Sequence, residues 1–525
     1  MSPSRTYDRR LAALVNRQAT RSLQGGLKGA EKESLRVTPR GLIARTPHPK
    51  VLGSALTNAH ITTDYSEALI EVVTPPFAQT WELTQYLCDL HQFVYRRLGD
   101  ELLWATSMPC AIKGDESIPI AEFGSSNVGT MKTVYRRGLG HRYGRVMQAI
   151  SGVHFNYSFP EHFWPVLADL LESHDSGQAF RSDSYFALIR NYRRMGWIVL
   201  YLFGTSPALC PSFLQGRKVD WLEDLAPGSL YAPYATSLRM SDLGYRNTSQ
   251  AALHVSANSL DHYVRDLTQA ITTPSPDYEK IGVKVNGDYR QLNANMLQIE
   301  NEYYSFIRPK RVALSGERPT KTLLRGGVQY VEMRSLDVSA WDPVGVNQTK
   351  LRFLEAFAAY CVLAESTPIE RSEQDELDAD HVLVAREGRR PGLQLRRDGR
   401  GVSLRDWAAE ILDSMRGVCE LLDEGDPQRP YTVALELQEA KVRDVALTPS
   451  ARTLEELRIN EESFFDFALR MSKTHKSYFL ELHLPNEARQ DQFAAEAEES
   501  LHAQARVEAA DNIGFDEYLA RYFAA

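Results

Sequence analysis

The chain has 525 residues, 43% of them apolar and 24% charged, with 60 Lys and Arg against 68 Asp and Glu for a net charge of −8. That composition excludes a wholly disordered chain, and the mild acidity excludes a general nucleic-acid binder, which needs a basic face. The length predicts two to four domains, or one large enzyme core with additions.

Residues 1–18 predict a capped amphipathic helix without the apolar stretch and small-residue cleavage site of a secretory signal. Residues 29–37 and 68–76 predict strands, the second stopped by Pro75 and Pro76. Leu83, Leu87, Leu90 and Val94 recur at helical spacing and predict a helix over 80–101. A strand over 151–160, a helix over 182–204 ending at Gly204, a strand over 327–338 and a helix over 351–366 follow. Beyond residue 366 charged, Ala-rich and Leu-rich segments predict a helical region, with 370–380 and 387–401 as boundary loops. No repeat of 20–50 residues stands out, so no solenoid is expected. The most apolar run, Trp197 to Phe203, is far short of the roughly 20 residues of a spanning helix, and no membrane partner is expected. Cys88, Cys110, Cys210, Cys361 and Cys419 are odd in number, widely spaced and without a CxxC pair. They predict reduced thiols in a cytoplasmic protein, with neither a disulfide framework nor a zinc site.

Charge falls at unusual positions on the predicted strands. Alternate side chains of a strand share a face, so Glu31, Glu33 and Leu35 lie together. Glu71 shares a face with Leu69 and Val73, and Asp64 precedes it after a turn-like ITTD. His154, Asn156 and Ser158 form a polar face opposite Val153, Phe155 and Tyr157. Tyr330, Glu332 and Arg334 lie opposite Val331 and Met333. For any one carboxylate, a sheet with one wet side explains the pattern. Jointly the six acidic and imidazole groups point to a polar cavity for hard divalent cations, since Asp, Glu and His suit Mg²⁺ or Mn²⁺. Residues 122–148 add five glycines with Lys132, Arg136, Arg137, Arg142 and Arg145, a composition suited to an anionic ligand but matching no standard phosphate loop. Residues 234–247 place Arg239 near Tyr245, and 297–311 mix Glu300, Glu302, Tyr303, Tyr304 and Arg308.

Nine blocks occur in order between about residues 22 and 350: GLKGAEKESLRV, LGSALTNAHITTDYSEALIEVVTP, GDELLWATSMPC, GTMKTVYRRGLGHRYG, MQAISGVHFNYSFP, YLFGTSPALCPSFLQG, PYATSLRMSDLGYRN, LQIENEYYSFIRPKR and LLRGGVQYVEMRSLD. Together they resemble the proteobacterial type of glutamate–cysteine ligase. The resemblance implies an α+β, glutamine-synthetase-like fold, in which a curved antiparallel sheet forms an active-site funnel surrounded by helices. It implies a catalytic core over 1–365 with a mainly helical region over 366–525 packed on it. The implied reaction joins the γ-carboxyl group of L-glutamate to L-cysteine, with ATP as co-substrate, through γ-glutamyl phosphate. Carried over by motif, Glu33, Asp64 and Glu71 hold one metal, and Glu31, His154 and Glu332 hold metal at the ATP phosphates. Tyr65, Tyr135, Leu139, Gln148, Tyr245 and Tyr304 form the cysteine pocket. Arg239 and Arg136 hold substrate carboxylate or phosphate, and Arg334 clamps the transferred phosphoryl group. The family also implies a cytoplasmic monomer. A carboxylate–amine ligase with another acceptor, a metal-dependent hydrolase and a non-catalytic sensor remain as alternatives, because fold and phosphate chemistry are shared more widely than acceptor choice.

Overall fold

Leu27–Val37 form an eleven-residue strand, β1, and the other strands of the main sheet assemble along its two edges. The computed structural model describes residues 3–226, 228–244, 253–313, 316–482 and 486–524. The sheet is completed by β2 (Ile61–Thr63), β3 (Leu69–Val73), β4 (Leu102–Leu103), β5 (Gly152–Ser158), β6 (Ile307–Lys310) and β7 (Tyr330–Asp337). Its order is β6-β7-β5-β1-β3-β2, with β4 on the end of β1, and every pairing is antiparallel.

The register converts strand parity into two unlike faces. Directly opposed residues point to the same side of a sheet. Glu33 opposes Glu71, Glu31 opposes His154, and Glu332 opposes both Asn156 and Arg308. These groups therefore share the front face. The back face carries Ile70, Val72, Val153, Phe155, Tyr157, Val331 and Met333, all buried. Between Met333 and Leu336 the pairing of β7 with β5 slips by one residue, so Arg334 sits in an irregular stretch where a strand bends and re-aims its side chains.

Helices cover the back face. The helices of the chain include α1 (Pro3–Asn16), α2 (Thr80–Tyr95), α3 (Asn127–Tyr143), α4 (Gln178–Met195), α5 (Trp197–Phe203), α6 (Gln348–Leu363), α7 (Arg371–Glu387), α8 (Leu404–Leu422), α9 (Pro430–Arg443) and α10 (Phe515–Ala524), of which α3 and α10 lie on the front side instead. The expected apolar stripe of α2 is buried, although the helix stops at Tyr95. One apolar core runs from Tyr7 in α1 through the back of the sheet to Met415 in α8 and Phe493. Two lysines of β1 also point backwards. Lys28 Nζ donates to both oxygens of the buried Glu355, at 2.8 and 2.9 Å, and Tyr431 Oη donates to the same carboxylate at 2.6 Å. Lys32 Nζ lies 3.1 Å from His91 Nε2, and the His91 Nδ1 is 2.7 Å from the Leu87 carbonyl. Those two bonds assign the proton of His91 to Nδ1 and the acceptor role to Nε2.

Several expectations are corrected. The helix expected over 182–204 is two helices, interrupted at Gly196, a residue with little helical preference. Residues 371–387 form α7 where a boundary loop was expected over 370–380. Leu377, His381, Val384 and Ala385 fall on one buried face, and the acidic residues between them mask that periodicity. Part of the second expected loop is a hairpin, Gln394–Arg397 with Arg400–Ser403. Its turn residues Asp398 and Gly399 both have positive φ, 52° and 72°, as an Asp-Gly hairpin turn requires. Cys110 and Cys210 are joined in a disulfide, against the expectation of five reduced thiols, while Cys88, Cys361 and Cys419 are free. The two partners are 100 residues apart in sequence. Folding places both in the apolar cluster of Phe213 and Leu214, and the Ile112 N–H donates to Ser212 Oγ beside them at 3.3 Å. Sequence spacing carries no trace of that proximity. Among the described residues no helix is long and apolar enough to cross a membrane.

One half-buried cation gives a stability prediction. Lys441 of α9 donates to the Leu202 carbonyl at 2.9 Å and lies over the Phe203 ring, 4.8 Å from its centroid. Burial, helped by Lys350 and opposed by Asp342, pushes its ammonium down to about 7. Between that value and the ordinary lysine value the unfolded chain binds more protons than the folded one. Stability therefore rises with pH across that window, and below about pH 7 the penalty is constant. Lys441→Met removes the slope and adds about 1–2 kcal/mol at pH 6, less than full linkage because the ammonium keeps one hydrogen bond and some water. Urea unfolding between pH 6 and 10 checks both statements; an unchanged slope refutes them.

Candidate active site

The front face opens into a cleft of about 670 Å³. Its floor is β1, β3, β5 and β7. One side is α3, whose Ser126 hydroxyl caps the helix by accepting from Gly129 N. The other side is β6 and the segment around Glu300. Glu31, Glu33, Asp64, Glu71, His154, Glu332 and Arg334 all line this one cleft, as do Tyr65, Tyr135, Arg136, Leu139, Gln148 and Tyr304.

The acidic floor is tightly organised. His154 Nδ1 is 3.0 Å from Glu31 Oε2, and Asn156 Nδ2 donates to Glu31 Oε1 at 2.9 Å. Gly152 N–H donates to Glu33 Oε2 at 2.6 Å. His154 Nε2 lies 3.9 Å from Glu33, and His154 Nδ1 lies 3.8 Å from Glu332. Glu31, Glu71 and His154 each offer one ligand atom within 4.8 Å of the others'. That triple draws members from both of the ligand sets expected from sequence.

Charge is divided across the sheet. On the β6–β7 side Glu332 lies 3.1 Å from Arg334 Nη1 and 3.5 Å from Lys310 Nζ. Burial opposes its ionisation, but Lys310 and Arg334 outweigh burial and hold its carboxyl well below the usual range. Glu332 in turn raises Lys310. On the β1–β3 side cations are scarcer. Burial and Asp64 push the Glu33 carboxyl up to about 8, against Arg239 and Arg334. Burial, then Glu31, Asp64 and Glu33, push Glu71 well above the carboxylate range. Burial and Glu332 would raise Glu31, and His154 holds it down. Burial and Arg334 lower His154 and favour the neutral imidazole. Crowded carboxylates with a neutral imidazole among them make a hard donor set of oxygens and one nitrogen, which fits Mg²⁺ or Mn²⁺.

The substrate-side groups are held from behind. Arg136 Nε donates to the Asp64 carbonyl, its Nη1 donates to the Lys132 carbonyl at 3.0 Å, and its guanidinium lies 4.4 Å from the Phe123 ring centroid. Gln148 Nε2 donates to Tyr304 Oη at 2.8 Å. Arg239 does not line the cleft. It lies beneath Arg334, donating from Nη2 to the Arg334 carbonyl at 3.0 Å, with Nη1 3.9 Å from Asp337. A Cβ at position 152 would collide with that guanidinium, so this close approach requires glycine. Tyr245 lies outside the described residues.

Sequence reading missed Lys310, which the pairing of β6 with β7 brings to the cleft. Pro309 weakened the strand signal of IRPK; the alternation of Arg308 and Lys310 around it was the available clue. Tyr518 and Tyr522 of α10 also line the cleft, and no motif marked them.

A glutamate–cysteine ligase family model matches residues 11–384. The chain belongs to the glutamate–cysteine ligase family. Among the relatives, glutamate–cysteine ligase of Alcanivorax borkumensis is 50% identical over 521 residues, 98% of this chain and 99% of its own length. That of Pseudomonas putida KT2440 is 48% identical over 95% of this chain and 94% of its own. The crystal structure of glutamate–cysteine ligase from Francisella tularensis in complex with AMP superposes with a TM-score of 0.90 at 37% identity, covering 95% of this chain and 98% of that one. A bifunctional glutathione synthetase from Pasteurella multocida shares the fold at 22% identity, with a TM-score of 0.69 over 90% of this chain and 55% of that one. Similarity to the ligase relatives extends through the C-terminal helices, beyond the nine sequence blocks and the family model.

Proposed function

We propose that the cleft performs the family's ATP-dependent joining of L-glutamate to L-cysteine by way of γ-glutamyl phosphate. The observation that carries this reading is one cleft that gathers Glu31, Glu33, Asp64, Glu71, His154 and Glu332 for metal together with Lys310, Arg308 and Arg334 for phosphate. A carboxylate is a poor electrophile, so the γ-carboxyl must receive the terminal phosphoryl group of ATP before an amine can displace it. Both reactants are anions, and the acidic floor repels them. Glu31, Glu33, Asp64, Glu71, His154 and Glu332 would hold Mg²⁺ or Mn²⁺, which supplies neutralisation of phosphate charge and of the charge developing in transfer. Arg334 directs its guanidinium to the transferring phosphoryl group, and Glu332 holds it in place. Arg136 faces the substrate carboxylate, and Arg239 supports Arg334 from below. Tyr65, Tyr135, Leu139, Gln148 and Tyr304 receive the cysteine, with Tyr245 as a further member.

The family resemblance is the ground for expecting a monomer that works in the cytoplasm. Residues 1–365 then act as the catalytic core and 366–525 as a helical region packed on it. ADP release with glutamate and a panel of amines tests the acceptor. Cysteine should give the fastest release, with γ-glutamylcysteine as product. Faster release with another amine overturns the acceptor, and substrate turnover without nucleotide overturns the ligase reading in favour of a hydrolase.

A further inference from the structure

Helix α10 is amphipathic. Phe515, Tyr518, Leu519, Tyr522 and Phe523 recur at helical spacing on its inner side, while Asp516, Glu517, Ala520 and Arg521 are exposed. Leu519 is buried in one apolar cluster with Met131 and Val134 of α3, the helix that also carries Tyr135 and Arg136. The approach to α10 is tied to the start of α3. Asn127 N donates to Asp511 Oδ2 at 2.5 Å, Asn127 Nδ2 donates to the Ile513 carbonyl at 3.0 Å, and Ser125 N donates to Glu508 at 2.9 Å. Asp516 accepts from Tyr289 Oη at 2.6 Å and from Lys284 Nζ at 3.1 Å. On the opposite side Tyr522 faces Glu300 and Arg318, and burial together with the Glu300 charge raises its phenol. Glu300 itself is fixed by Arg318 at 3.1 Å and Thr320 at 2.6 Å. The helix thus runs from the α3 side of the cleft to the Glu300 side, and the two tyrosines between them face the cavity.

A cleft that holds an acyl phosphate has a specific need for such a cover. Water attack on the γ-carbonyl carbon forms a C–O bond and breaks the C–O bond to phosphate. Phosphate leaves with the electron pair and the new carboxylic acid loses its proton. Glutamate is regenerated, and the net change is ATP and water to ADP and phosphate. We propose that α10 is a wall of the catalytic cleft, and that Tyr518 and Tyr522 keep water from the γ-glutamyl phosphate so that ATP use stays coupled to ligation. This rests on the acyl-phosphate reading above. Purely structural packing by α10 would affect stability and total rate, and it would leave the ratio of ADP to γ-glutamylcysteine unchanged.

The test measures both products in one reaction with the full-length chain and Mg²⁺. Wild-type enzyme should give a ratio near 1. The Tyr518→Ala, Tyr522→Ala double variant should raise it at least about threefold and release phosphate when cysteine is omitted. Tyr522→Leu, which keeps apolar packing, reads the same ratio if the double variant does not fold. Tyr518→Phe with Tyr522→Phe should restore coupling, because the rings remain, and Arg521→Ala on the exposed side should leave the ratio as in wild type. Hydroxylamine added to the wild-type enzyme separates the two levels of the argument by trapping the acyl phosphate as γ-glutamyl hydroxamate. Absence of hydroxamate overturns the intermediate and the wall with it. Hydroxamate together with an unchanged ratio in the alanine and leucine variants overturns the wall alone.

Discussion

Glu33→Gln should lower kcat by about 10³, the equivalent of about 4 kcal/mol of transition-state stabilisation, while the fold persists. The substitution keeps an oxygen able to accept from Gly152 N–H, the bond that Glu33 makes at 2.6 Å. It removes a carboxyl whose ionisation burial and Asp64 already oppose. The metal-free variant should therefore unfold at the same temperature as wild type or higher. Loss of activity without loss of stability is the signature of a metal ligand, since a structural carboxylate would move both together. Steady-state kinetics over a range of Mg²⁺ and a thermal melt in chelator decide it. Near-normal turnover at saturating Mg²⁺ removes Glu33 from the metal site.

Arg334→Ala should reduce kcat by about 10²–10³ and change ATP affinity only a few-fold, as for other donors aimed at charge that develops in the transition state. The guanidinium is held by Glu332 at 3.1 Å, and its carbonyl is bonded to Arg239 at 3.0 Å. It is thus oriented before substrate arrives, which is what electrostatic catalysis requires. Lys310 remains beside Glu332 in the variant, so that carboxylate is not stranded. Arg334→Lys should recover only part of the loss, because one ammonium cannot reproduce a two-pronged contact. Equilibrium ATP binding measured beside single-turnover ADP formation separates the effects. A change confined to ATP affinity or to the Michaelis constants rules out the phosphoryl role.

The readable part of the fold followed from parity. Strands β5 and β7 each announced one polar and one apolar face, and β1 put Glu31 and Glu33 on one side, because a strand's side chains alternate whatever surrounds it. The helical stripe of α2 was legible for the same kind of reason. Where the signal was diluted, the reading went astray. The acidic residues of 371–387 obscured a buried stripe, and Pro309 obscured a strand that delivers Lys310. Arg239 was expected to hold substrate because the family resemblance implies it, and in the fold it donates to the Arg334 carbonyl without lining the cleft. Helix α10 had no motif at all; only its place in space connects it with the cleft.

The amino-acid order alone determined which residues share a face, since covalent geometry sets strand and helix periods locally. Strand parity, and then resemblance to a known family, gathered the candidate ligands. Tertiary structure decided everything that depends on distance through space. It paired Cys110 with Cys210 across 100 residues, and it brought the last helix to the mouth of the cleft. It also made unlike acids of chemically identical glutamates, Glu332 held low beside Lys310 and Arg334, Glu33 pushed up to about 8 by burial and Asp64. Coulomb energy depends on separation and on the surrounding medium, and neither is written in the order of residues along a chain.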